Sequence, residues 1–278
     1  MAAEYFDTIH CWMPVLSRRR LYGLLLNPLS LQEPENALLL LSMTLITSIP
    51  DRPGNGSRLY HLTKEFYLAA QSTGCVTLQM VQAGILIALY ELGHGIYPAA
   101  FLTIATSCRF GTMLGLDKLS AGDVTNTDRE ENIRVWWAVL IVDHALNLGT
   151  EGSHLCAPGP APHDLLPMDD DDWDRSTTGS RELHRLSMPT ELKAGRFARL
   201  VQATDLLGQG FRYLASLKTD TQPDFDGLGQ LTRTIAALSN LAHAESLQRR
   251  IVFCCPIAWY PYDQYFTCRQ LVVYESFH

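Results

Sequence analysis

The apolar residues of this chain recur mainly three and four positions apart, and no stretch alternates apolar with polar over the length of a strand. A period of 3.6 returns side chains to one face, so each such segment buries its stripe only by packing on another helix. The pattern predicts an all-α fold of stacked antiparallel helical hairpins. Of the 278 residues 47% are hydrophobic, enough for a sizeable core. The formal net charge is −7, with no block of five or more basic residues, so the field of the whole chain repels phosphate backbones. Seven scattered cysteines, an odd number with no C-x-x-C, predict reduced thiols. "MAAEYFDTIH" lacks the layout of a secretory signal. The apolar run at 36–49 is shorter than the ~20 residues a membrane span needs. A soluble intracellular protein is expected.

Punctuation divides the chain into elements. The first predicted helix, 36–49, is apolar nearly all round and stops at Pro50. Ser57 caps the next, with Leu59, Leu62, Phe66 and Ala69 as its stripe and Gly74 beyond its end. Thr77 caps a helix ending at Gly93, and Pro98 suits the first turn of its partner, which runs to about Gly115. The short "GHGIY" between them makes an antiparallel hairpin. In "TDREENIRVWWAVLIVDHALNLG", Thr127 and Glu130 have capping-box spacing, and Gly149 is the stop. Residues 150–187 read as a long proline- and aspartate-rich loop with at most one helical turn. Two further helices are expected, from about Pro189 to Lys218 and from about Phe225 to Phe253. The glycines Gly195, Gly208 and Gly210 weaken the case for an unbroken first one. The aromatic tail after Phe253 fits either a docked helix or a strand-like segment.

Two constellations invite function. In "LLPMDDDDWDR" Asp170, Asp171 and Asp174 fit D-D-x-x-D, similar to the magnesium-holding motif of terpene cyclases and prenyl synthases, and oxygen-only ligands suit a hard cation. Against it, Pro158, Pro160, Pro162 and Pro167 precede the run, no N-D-x-x-S-x-x-x-E follows, and only Arg175 and Arg181 lie near in sequence. The plainer expectation is a solvated acidic loop of Asp169, Asp170, Asp171, Asp172 and Asp174. No G-x-S-x-G, H-E-x-x-H or phosphate loop is present, so no catalytic residue is expected. The second constellation is "ENIRVWWAVLIVDH". Trp136, Leu140 and Asp143 share one helical stripe, and Glu130 to Arg134 is a favourable i, i+4 pair. A partly buried Asp143 requires a partner: His144, Arg109 or a backbone amide of a neighbouring helix.

The run from Glu130 through Arg134, Trp136 and Trp137 to Asp143 resembles the E-x-x-R-R-V-W-W-x-x-x-x-x-D-R signature of the fungal-specific transcription factor domain, the middle homology region of zinc-cluster regulators. "YFDTIHCWMPVL" resembles that domain's opening, "LQMVQAGILIALYELGHG" its V-Q-A-x-x-L-x-A-x-Y helix, and "AAFLTIATSCRFGTMLGLD" its A-x-R-x-A-x-x-L-G-L helix end. "LLPMDDDDWD" matches its L-P-x-x-D-D-x-D position. The match spans roughly residues 5–174, and "YDQYFTC" looks like a late helix of the same proteins. The resemblance implies a nuclear, non-enzymatic regulatory domain controlling transcription by RNA polymerase II. It further implies coregulator partners, a small-molecule effector and metabolic or biosynthetic target genes. The core is expected at 1–174 and its helical continuation at 175–278. His144 replaces the family's arginine after the aspartate, and Gly149-Thr150 replaces glycine-arginine-proline. The six-cysteine zinc cluster that reads DNA in this family is not in this sequence. No cofactor is therefore expected in this chain, and zinc only with a separate upstream cluster. DNA would be reached indirectly or through such a missing N-terminal domain. A magnesium-dependent enzyme processing prenyl diphosphates is the alternative, and an inert helical scaffold a third reading.

Overall fold

The computed structural model describes residues 1–48, 57–118, 126–148, 155–175, 184–187, 194–217 and 224–249. Among them the chain is all-α, with ten helices and two short 3₁₀ turns at Ser30–Gln32 and Leu116–Lys118. The helices are α1 (Ala2–Asp7), α2 (Arg18–Leu26), α3 (Pro34–Thr47), α4 (Arg58–Ser72) and α5 (Leu78–Gly93). They continue with α6 (Tyr97–Met113), α7 (Asn126–Asn147), α8 (Asp170–Asp174), α9 (Arg196–Leu217) and α10 (Phe225–Arg249). Two compact units hold them. One draws on 1–148, 155–158 and 170–183 and contains α1 to α8; the other draws on 149–154, 159–169 and 184–278 and contains α9 and α10.

Most boundaries follow local chemistry. The hydroxyls of Ser57 and Thr77 accept the backbone N–H groups of Tyr60 and Met80, closing the first turns of α4 and α5. Proline stands in the first turn of α3 and of α6, where it removes no intrahelical bond. Gly74 (φ +72°) and Gly95 (φ +70°) occupy the left-handed conformation just past the ends of α4 and α5, where a side chain would be strained. Helix α3 starts two residues earlier than its apolar run, because Pro34 opens the helix and Glu33 is its N-cap residue. Helix α7 begins at Asn126, so Thr127 lies inside its first turn rather than ahead of it as the expected cap. The side chain of Thr127 falls outside the described residues, as do Gly149 and the aromatic tail. Helix α9 runs unbroken through Gly208 and Gly210.

The expected hairpin is α5 with α6. Glu91 meets Thr103, and a Cβ on Gly84 would meet Ser107, so positions rise on one helix as they fall on the other. Helix α3 packs on α4 and α5, and α7 on α5 and α6. Leu38, Leu45, Tyr60, Tyr67, Ile87 and Tyr90 interlock in one core cluster.

The stripe on α4 differs from expectation. Leu62 is 55% exposed, and the buried face is Tyr60, Thr63, Tyr67 and Ala70, with Leu59 and Phe66 at its margin. Tyrosine supplies much of the apolar surface on this face. Each ring buries more area than a leucine, and each hydroxyl finds an acceptor: Tyr60 donates to Glu91 Oε1 (2.8 Å) and Tyr67 to Ser107 Oγ (3.4 Å).

In the second unit Ala203 and Leu206 of α9 pack against Leu231, Ile235 and Leu238 of α10. Buried Arg199 anchors the pair through both carboxylate oxygens of Glu245, at 2.9 and 2.6 Å. In the same unit the Leu166 N–H donates to His184 O and the Leu186 N–H to Asp164 O, bracketing a single antiparallel bridge between Leu165 and Arg185.

Candidate functional site

Helix α7 carries the polar framework of the first unit. Arg134 is 0% exposed, a large desolvation cost for a guanidinium unless charges meet it. Its Nε donates to Glu130 Oε1 one turn back (2.7 Å) and its Nη1 to Asp170 Oδ1 on α8 (2.8 Å). Burial alone would lower the guanidinium pKa; the charges of Glu130 and then Asp170 outweigh it and hold Arg134 protonated. The guanidinium carbon also lies 4.2 Å from the Trp173 ring centroid.

Trp173 continues the network. Its ring stacks on His10 at 5.6 Å, and the His10 Nε2–H donates to Asp174 Oδ1 at 3.0 Å. A carboxylate only accepts, which places the ring proton on Nε2. Asp174 also accepts from Arg18 Nε at 3.2 Å, and Arg18 lies over the Phe6 ring at 4.4 Å. Burial pushes the Asp174 carboxyl up, but the His10 hydrogen bond and the His10 and Arg18 charges together hold it below its ordinary value. His10 is lowered, burial outweighing the attraction of Asp174.

The acidic run is therefore not a solvated loop throughout. Asp170–Asp174 form a one-turn helix whose Trp173 is buried and whose end carboxylates meet Arg134, Arg18 and His10. Asp171 and Asp172 face solvent, and Asp169 is half-buried. The partners that make this possible, two guanidinium groups and an imidazole, come from α2, α7 and the turn before Trp12, far from the run in sequence. The same contacts occupy two of the three aspartates of D-D-x-x-D. Among the described residues no group of three His, Cys, Asp or Glu side chains is placed to hold a metal ion.

Asp143, as expected, is buried on the stripe of Trp136 and Leu140. Its partners are backbone amides, though not of a helix: the N–H groups of Cys156 and Ala157 both donate to Oδ2, at 2.8 and 2.9 Å. Oδ1 has no partner among the described residues. His144 Nδ1–H instead donates to Leu140 O. Trp136 and Trp137 are both buried, and the Trp136 ring lies so close to α6 that a Cβ at Gly111 would come within 3.0 Å of it.

Two fixtures escaped the sequence reading. Glu131, 3% exposed, accepts the Ser17 N–H (3.0 Å), Gln82 Nε2 (3.0 Å) and Arg20 Nη1 (2.8 Å), binding α7 to α2 and α5. Glu91, fully buried on α5, accepts from Tyr60, from Lys64 Nζ (2.7 Å) and from Thr103 Oγ1 (2.7 Å). The only advance signal for either was a carboxylate on an otherwise apolar helical face.

The family model of the fungal specific transcription factor domain matches residues 2–222, which include all of this framework. The chain belongs to that family. Transcription factor BOA15 of Botryotinia fuckeliana is 35% identical over 134 residues, covering 48% of this chain and 72% of that protein. Transcription factor tazR of Aspergillus terreus is 24% identical over 160 residues, covering 52% of this chain and 24% of that much longer protein. No solved structure matches. The chain is thus a regulatory domain of the fungal transcription factor kind rather than an enzyme, and the prenyl diphosphate reading has no support. Among the described residues no helix is long and apolar enough to cross a membrane.

Proposed function

We propose that this chain acts in the nucleus as the regulatory region of a regulator of RNA polymerase II transcription, with metabolic or biosynthetic genes as its targets. The observation that carries the reading is the family match over residues 2–222. Residues 1–174 form the regulatory core in this proposal and 175–278 its helical continuation. The domain works through other transcription regulators or coregulators and through a small-molecule effector. It reaches DNA indirectly or through a zinc-cluster domain carried elsewhere in the regulator, and needs no cofactor of its own.

The α7 framework supports such a role. A buried cation shared by two carboxylates favours discrete arrangements over continuous deformation, since a half-broken pair strands a charge. Discrete arrangements are what a ligand or partner can bias.

Fusing residues 1–278 to a foreign DNA-binding domain in a fungal host tests the reading. Reporter output should change with at least one nutrient or stress condition, and Arg134→Met should abolish the response. A reporter that stays flat under every condition overturns the proposal.

A further inference from the structure

Two cysteines of the first unit, 48 residues apart in sequence, meet in the fold. The Cys108 Sγ–H on α6 donates to the backbone oxygen of Cys156 at 3.4 Å. That oxygen is two bonds from the Cα that carries the second thiol. Cys108 is 5% exposed, Cys156 is open to solvent, and both are reduced.

The segment bearing Cys156 is fixed from the other side. The N–H groups of Cys156 and Ala157 donate to Asp143 Oδ2, and Asp143 is fully buried on α7, which packs on α6. A disulfide needs Cα atoms about 4.4–6.8 Å apart, a range that a sulfur-to-carbonyl contact reaches with turned side chains and a slight shift of the exposed segment. Burial and then the charges of Asp143 and Cys156 push the Cys108 thiol up to about 11. Burial and then Asp143 push the Cys156 thiol up as well. Such thiols react slowly, but no stabilised thiolate holds the pair in its reduced form, so nothing of that kind opposes oxidation at equilibrium.

We propose that Cys108 and Cys156 are a reversible redox pair that closes to a disulfide by exchange with a small-molecule disulfide such as oxidised glutathione. The accessible Cys156 thiolate attacks one glutathione sulfur and releases the first glutathione thiolate. The Cys108 thiolate then attacks the Cys156 sulfur, forms the new S–S bond and releases the second. Two electrons pass to glutathione, and the two protein protons end on its thiols. The pair stands or falls apart from the transcriptional reading, because it is read on the isolated chain.

Equilibrating the full chain anaerobically in graded mixtures of reduced and oxidised glutathione, then alkylating and mapping peptides by mass, tests it. A Cys108–Cys156 peptide should appear and revert on reduction. The effective concentration of one thiol at the other should exceed its value in denaturing urea by at least about tenfold, since positioned groups outdo a flexible tether. Asp143→Ala frees the two amides and should lower the folded value by about tenfold, whereas Asp143→Asn keeps an acceptor and should retain it. Absence of the linked peptide at every ratio, Cys156 recovered only as its glutathione adduct, or equal values in folded and unfolded chain overturns the proposal.

Discussion

Arg134 and Asp143 lie on the same helix, and both are buried charges met in different ways. Arg134 is balanced by two carboxylates, so Arg134→Met leaves Glu130 and Asp170 without their cation and should cost about 3–5 kcal/mol in urea unfolding. Arg134→Lys should recover little of that loss, because an ammonium cannot serve two carboxylates in a fixed fork. Asp143 meets no cation among the described residues, and burial raises its carboxyl above the ordinary value of 3.8, with the N–H groups of Ala157 and Cys156 pulling the other way. A raised folded pKa means that the native state binds more protons than the unfolded chain between the two values. The contribution of Asp143 is therefore fully present below 3.8 and lost as pH rises through the raised value. Asp143→Asn keeps an acceptor for both amides without the charge, and should flatten the stability profile between 3.8 and the raised value. Asp143→Ala should instead lose about 1–3 kcal/mol throughout, from two stranded N–H donors. Arg134 and its Glu130 partner were legible from the i, i+4 spacing. Asp170 was not, because nothing local pairs residues 36 apart.

Helix against helix, α5 and α6 approach closely at Gly84. A Cβ there would stand 2.1 Å from Ser107 Oγ and 2.6 Å from the Tyr67 hydroxyl, distances no packed atoms tolerate. Gly84→Ala should therefore lower stability by about 1–3 kcal/mol despite alanine's better helix propensity. Adding Ser107→Ala should restore part of it, with a coupling measurable in a thermal double-mutant cycle. Without the second change, recovery to wild-type stability would mean the helices can separate freely. The helices from α3 to α7, with α9 and α10, were readable from apolar spacing, caps, prolines and glycines, whose effects act within one turn; α1 and α2, which precede the first expected helix, were not. The buried face of α4 was not, because hydrophobicity alone ranks Leu62 over Tyr60, and only the acceptors on α5 and α6 decide that the tyrosines point inward.

Over the whole molecule, the formal charge of −7 and the lack of a basic block predict that this chain alone forms no sequence-selective DNA complex. Gel-shift titrations at two salt concentrations check this; a selective complex that weakens steeply with salt contradicts it. The all-α class and the family were determined by the sequence itself, since periodicity, caps and ordered motifs are local properties that survive without a fold. Tertiary structure decided what the aspartates of "LLPMDDDDWDR" do. Their sign and spacing fitted a magnesium site, their proline-rich setting favoured a wet loop, and what they do was decided by Arg18, Arg134 and His10, which only the folded chain brings within hydrogen-bonding distance. A carboxylate's role depends on the charge and solvent around it, and those are set by residues remote in sequence.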